Sequence, residues 1–128
     1  MIIGASYGGV PSLTATAGPG LALMTEGIGL AVAAEVPIVV VDVMRGGPST
    51  GIPAKSEQSD LSFAVAGLHG DAPRLVLAPT SIADCLPTTQ WAVELAEALQ
   101  SPAIVLSDQF MGQSRAVVDR PPDAAVAG

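Results

Sequence analysis

The chain has 128 residues, 49% hydrophobic and 13% charged, with a net charge of −7. Charged residues usually make up about 25% of a globular domain, so much of this surface is expected to be covered, on both sheet faces or by a larger assembly. Only five Lys and Arg stand against twelve Asp and Glu, which excludes an electrostatic nucleic-acid surface or a polybasic membrane contact.

Residues 1–9 are small and apolar and are read as the end of a helix closed by Gly8-Gly9. No capping residue precedes Ile2, so further chain upstream is expected. Thr14-Ala15-Thr16 predicts a short strand that feeds Gly18-Pro19-Gly20. Residues 21–35 predict one helix, with Leu21, Met24, Ile28 and Val32 on a shared stripe. Residues 37–44 lack alternation and contain Val39-Val40-Val41, as a central parallel strand should. Residues 27–44 are apolar, yet Glu35, Pro37 and Asp42 divide them into helix and strand rather than a membrane span.

Residues 45–61 form a long polar loop. Gly46, Gly47 and Gly51 permit sharp turns there, and Pro48 and Pro53 stiffen it. Asp60 is a candidate cap for a helix over 61–68. A strand over 74–78 follows, then a helix from Ser81 or Asp84 to about Leu99, with Pro87 in its first turns and Trp91, Leu95 and Leu99 facing one way. A strand over 103–106 ends in Ser107-Asp108-Gln109, and 116–118 predicts a last edge strand. Strands alternating with helices predict an α/β fold, a parallel sheet sandwiched by helices. One domain over 1–120 is expected, with 121–128 a linker or the start of another unit. Cys85 is the only cysteine, so no intrachain disulfide or thiolate metal centre can form, and no basic residue precedes the apolar start to make a signal peptide. A cytoplasmic location is expected.

Several motifs carry candidate chemistry. The loop after a buried parallel strand is where open α/β sheets take ligands. Arg45 at that point can grip a carboxylate through two charge-assisted hydrogen bonds, or pair with Asp42 or Glu57 instead. Gly18-Pro19-Gly20 lacks the third glycine of a dinucleotide fingerprint, because position 23 is Leu23. It serves either a tight turn or a ligand approached by backbone N–H groups. Gly46 and Gly51 have phosphate-loop spacing, but Ile52-Pro53 replaces the required Lys-Ser/Thr. Residues 4–8, Gly-Ala-Ser-Tyr-Gly, match a nucleophile elbow with Asp60 and His69 downstream, which makes a serine hydrolase using Ser6 a minor alternative. His69 itself is expected at a helix end beside Gly70, and Glu26 on an outward helix face.

Thr14 to Gly20, then Leu23-Met24-Thr25-Glu26-Gly27-Ile28-Gly29-Leu30-Ala31, resemble the alpha subunit of 2-oxoacid:ferredoxin oxidoreductases. The resemblance extends through Arg45-Gly46-Gly47-Pro48-Ser49-Thr50-Gly51, Pro53, Lys55, Glu57-Gln58 and Asp60-Leu61. It continues through Val105-Leu106-Ser107-Asp108-Gln109 and Val118-Asp119-Arg120-Pro121. It covers nearly the whole chain and is strongest for the 2-oxoglutarate branch; Ala54, Ser56 and Ser59 depart from it mildly. It implies the pyrimidine-binding domain for thiamine diphosphate, incomplete at both ends, in an enzyme that oxidatively decarboxylates a 2-oxoacid. Coenzyme A takes the acyl group and ferredoxin the electrons.

By resemblance Arg45 binds the substrate carboxylate, with Ser49, Thr50 and Lys55 near the substrate entrance or a subunit contact. Thr16, Gly18, Pro19 and Gly20 lie near the thiamine pocket. The resemblance puts the activating glutamate upstream of Met1, and Mg2+ and the iron–sulfur cluster on a beta subunit. No catalytic residue or metal ligand is therefore expected within this chain, and turnover is expected only with the partner. A non-catalytic subunit-binding scaffold of the same fold is the other reading.

Overall fold

The computed structural model describes residues 1–121; of the segment expected to be a linker, 122–128 lie outside the described residues. Four strands, β1 (Leu13–Thr16), β2 (Val39–Met44), β3 (Leu75–Leu77) and β4 (Ala103–Asp108), form one sheet in the order β1-β2-β4-β3. All three pairings are parallel. β2 and β4 are the central pair, and every residue of β4 is buried. A strand covered on both faces needs no polar side, which is why its sequence does not alternate.

One face carries α1 (Ile2–Tyr7), α2 (Gly18–Leu23), α3 (Thr25–Ala33) and α4 (Leu61–Ala66). Leu21, Ile28, Ala31 and Ala64 pack there with Val40, Ile104 and Leu106. The other face carries α5 (Ile82–Leu99), whose Ala92 and Ala96 meet Val39, Ala103 and Val105. α6 (Gln109–Gln113) follows β4 directly. Burying a Leu or Ile side chain contributes roughly 1.5–3 kcal/mol. That outweighs the poor intrinsic propensity of a helix opening Gly-Pro-Gly, so packing holds α2 in place.

The parallel α/β sheet with helices on both faces is therefore as expected, and three details differ. The helix expected over 21–35 begins earlier and is broken at Met24, where the Thr25 hydroxyl donates back to the Ala22 carbonyl at 3.0 Å and competes with the helical ladder. Asp60 stands at the N-cap of α4, but its side chain accepts no backbone N–H there. The strand expected over 116–118 does not form; Val117 and Val118 line a groove with Pro87 and Gln90 of α5 instead of reaching a sheet edge. The Trp91, Leu95 and Leu99 stripe is not the core face of α5. Trp91 and Leu99 are exposed, and Thr88, Ala92 and Ala96 face inward. Small residues bring the helix close to the sheet. Among the described residues no helix is long and apolar enough to cross a membrane.

Candidate functional site

The parallel register brings three strand ends to one level. Thr16 pairs with Asp42, and Met44 with Asp108. The Gly18-Pro19-Gly20 turn therefore leaves β1 beside the point where Arg45 leaves β2. Between them lies a crevice of about 530 Å3. Pro19, Leu23 and Phe63 make its apolar wall, and Arg45, Ser49 and Asp60 its polar groups.

Arg45 is half-buried on this crevice. Its Nε is shielded from solvent and has no hydrogen-bond partner. The pairing with Asp42 or Glu57 weighed above is absent: among the described residues Arg45 forms no ion pair, and Glu57 Oε2 instead accepts the Gly47 N–H at 3.2 Å. A buried, unpaired guanidinium edge on a crevice is a donor waiting for an acceptor.

The loop that presents Arg45 is tied at both ends. Gly46 and Ile52 form an antiparallel bridge, with the Ile52 N–H donating to the Gly46 carbonyl at 2.7 Å. Gly46 N–H donates in turn to Lys55 O at 3.1 Å. Gly51 closes this small ring at φ +63, and a Cβ there would stand 1.7 Å from the Gly46 carbonyl oxygen. Further along, Ser56 Oγ accepts the Phe110 N–H at 2.6 Å, and Gln58 Nε2 donates to Asp108 Oδ2 at 3.0 Å. The Met111 N–H and then Gln58 hold the Asp108 carboxyl below the usual carboxylate range. The loop is thus fastened to the end of β4 across the mouth of the sheet.

Of the residues singled out from the sequence, Arg45, Gly18, Pro19 and Ser49 line the crevice. Thr16 and Gly20 stand behind it: the Thr16 hydroxyl fills the space where a Gly20 Cβ would be, 1.9 Å away. Thr50 and Lys55 are exposed on the loop and do not line the crevice. The hydrolase alternative fails on geometry. Ser6 lies inside α1 rather than on a strand-to-helix elbow and donates to the Pro37 carbonyl. His69 Nε2 is 3.4 Å from Glu26 Oε2, an exposed pair remote from any role with Ser6.

The sequence reading missed a buried acid behind Asp60. Asp42 is 0% exposed and faces Asp60, yet neither of its oxygens finds a donor. Burial first, and then the neighbouring Asp60 charge, raise Asp42 to about 7. Asp60 Oδ2 is also buried without a donor, and a Gly18 Cβ would lie 2.7 Å from it. The visible signal was an acid in an otherwise apolar run, Val39-Val40-Val41-Asp42-Val43.

This lining suits a flat, partly polar ring and an anionic group. The aliphatic and aromatic wall takes the ring, the missing Cβ at Gly18 lets the Asp60 carboxyl lie against the turn, and Asp60 and Arg45 offer an acceptor and a donor. Gly18, Pro19, Leu23 and Asp60 are the residues that would hold such a cofactor ring. Among the described residues no glutamate lines the crevice.

Comparison with known proteins gives the same direction. Residues 1–127 match the family model for pyruvate flavodoxin/ferredoxin oxidoreductase, thiamine diP-binding. The chain is 51% identical over 106 residues to the 2-oxoglutarate oxidoreductase subunit KorA of Mycobacterium tuberculosis, covering 83% of this chain and 16% of that protein. It is 48% identical over 121 residues to the 2-oxoglutarate synthase subunit KorA of Archaeoglobus fulgidus, covering 94% of this chain and 35% of that one. In structure it superposes with a TM-score of 0.84 and 55% identity on 2-oxoglutarate:ferredoxin oxidoreductase from Magnetococcus marinus with 2-oxoglutarate, coenzyme A and succinyl-CoA bound. That match covers 86% of this chain and 19% of the other, so the chain spans only a fraction of the relatives' length. On sequence, fold and crevice together, it belongs to the thiamine diphosphate-binding family of pyruvate flavodoxin/ferredoxin oxidoreductases.

Proposed function

We propose that this chain is the part of a 2-oxoacid:ferredoxin oxidoreductase alpha subunit that holds the pyrimidine end of thiamine diphosphate and the carboxylate of the substrate. The reaction is oxidative decarboxylation of a 2-oxoacid, 2-oxoglutarate in this reading, to its acyl-CoA, with carbon dioxide released and electrons passed to ferredoxin. It requires a beta subunit, which carries Mg2+ with the diphosphate and the iron–sulfur cluster, and it takes place in the cytoplasm. The observation that carries the reading is Arg45: a cation at the carboxyl end of a central strand, on a crevice, with an unpaired buried Nε.

Each residue has a task within that reaction. Arg45 orients the keto acid by its carboxylate, which fixes the neighbouring carbonyl carbon. Pro19, Leu23 and Phe63 exclude water from the ring side of the crevice. The Gly46–Ile52 bridge and the Ser56 and Gln58 bonds keep the Arg45 loop from collapsing across the opening. Thiamine diphosphate, when bound, supplies the carbon nucleophile and the electron sink. A second substrate carboxylate needs another cation, and because Lys55 lies off the crevice a partner residue provides it.

The test is 2-oxoglutarate-dependent viologen reduction by the assembled alpha–beta complex. Losing a charge-assisted hydrogen bond costs about 1.5–3 kcal/mol, so Arg45→Ala lowers kcat/KM roughly 10- to 100-fold. Unchanged kinetics in a folded variant would remove Arg45 from the site. Calorimetry that finds no thiamine diphosphate bound to the assembled wild-type complex would favour the scaffold reading instead.

A further inference from the structure

Behind Asp60 the structure holds a feature that substrate binding by Arg45 does not use. Asp42 points from the middle of the sheet toward the helices that build the crevice, and it is fully buried. Its surroundings contain almost nothing polar. On β1 its register partner is Thr16, uncharged, and that hydroxyl is turned to Ala17 O at 3.4 Å. On β4 the partner is Leu106. α2 contributes Leu21 and glycine, and α4 contributes Asp60. Asp60 is the one charged group facing it among the described residues, and it has the same sign. Arg45, three residues along, pairs with neither acid.

Ionised carboxylates only accept hydrogen bonds. Two of them facing each other without a donor or cation would set a fully buried charge against a partly buried one, the arrangement in which one member keeps its proton. A protonated Asp42 reverses this, because its hydroxyl donates to Asp60. One orphaned oxygen of Asp42 and the orphaned Oδ2 of Asp60 then satisfy each other. The same bond explains why Asp60, placed at the N-cap of α4, accepts no helix N–H: its carboxyl is turned to Asp42 and lies against Gly18.

We infer that Asp42 and Asp60 share one proton, and that this proton positions α4 and the Gly18 turn and keeps a second negative charge away from the Arg45 carboxylate site. The pair is a positioning device: it acts through Asp60 and Gly18 on the crevice wall, and Asp42 touches neither substrate nor cofactor. Losing the proton sets two like charges against each other at the junction of β2 and α4, and adds a negative charge beneath an anion-binding crevice. Anion affinity then falls as pH rises. The raised value of about 7 for Asp42 puts the change near neutral pH.

This inference rests on the carboxylate-binding reading of the crevice, and its test has one arm that does not. Difference infrared spectra of the assembled complex should contain the C=O stretch of a protonated carboxylic acid, titrating away near pH 7 and absent in Asp42→Asn. Asp60→Asn is the second variant. It gives Asp42 a permanent amide donor and removes the opposing charge, so the band should disappear at a clearly lower pH. Absence of any such band above pH 5 in the wild type, or its persistence in Asp42→Asn, overturns the shared proton. In the kinetic arm, the wild-type KM for 2-oxoglutarate rises about threefold or more between pH 6 and 8.5, while Asp42→Asn, whose amide donates at every pH, is flat over that range. An equal rise in Asp42→Asn overturns the coupling to substrate. If the infrared band behaves as expected but Arg45→Ala has wild-type kinetics, the shared proton stands and the carboxylate-binding reading falls.

Discussion

Replacing Gly51 with alanine should loosen the Arg45 loop without touching Pro19, Leu23 or Phe63. Gly51 sits at φ +63, and an added Cβ would lie 1.7 Å from Gly46 O, 2.7 Å from Gly46 C and 3.0 Å from Gly47 Cα. All three are backbone atoms, so no side chain can rotate away. An L-residue in the left-handed region costs about 1–2 kcal/mol. Displacing the Gly46 carbonyl also breaks the bond from Ile52 N–H, now 2.7 Å, worth about 0.5–1.5 kcal/mol more. The local closed state of the loop therefore loses roughly 2–3 kcal/mol. Amide exchange of the assembled complex reads that directly, as protection at Ile52 falling by at least about 30-fold. Because the bridge begins one residue after Arg45, KM for 2-oxoglutarate should rise about tenfold while thiamine diphosphate affinity changes little. Gly47→Ala is the control, since its Cβ would meet nothing within 4 Å. Ile52 protection and KM both within about twofold of wild type in Gly51→Ala would refute the claim that this ring holds Arg45.

Two further expectations follow from the same geometry. Ser56→Ala removes the acceptor of the Phe110 N–H and the donor to Gln109 Oε1, bonds of 2.6 and 3.3 Å; about 1 kcal/mol of loop anchoring is lost, seen as faster amide exchange at Phe110 with α5 unaffected. The second concerns pH. Asp42 titrates at about 7 in the fold against an ordinary 3.8, so its contribution is complete below about pH 4 and is lost as pH rises through 7. The loss accumulates between those two values and levels off above about 7, so thermal unfolding of the complex should show Asp42→Asn gaining on the wild type between about pH 4 and 7. A constant difference across that range would contradict it.

Composition and pattern alone determined a good deal. The unbroken β-branched run through Val39-Val40-Val41 dictates a strand buried on both faces, because no polar side is available to meet water. Gly-Pro-Gly after β1 and the glycine-rich loop after Arg45 marked the two walls of the crevice, because their backbone requirements are written in residue type. Periodicity was a weaker guide. Trp91, Leu95 and Leu99 recur every four residues and face one way, yet the buried face of α5 is Thr88, Ala92 and Ala96, since close approach to the sheet selects small side chains. Lys55 and Thr50 share the Arg45 loop in sequence and still stay off the crevice, exposed beyond the point where the Gly46–Ile52 bridge closes. The meeting of Asp42 with Asp60 depends on the β1–β2 register and on where α4 begins, both long-range outcomes. Chain order separates those acids by a whole loop; only tertiary packing makes them neighbours and shields Asp42 from the solvent that would keep both charged.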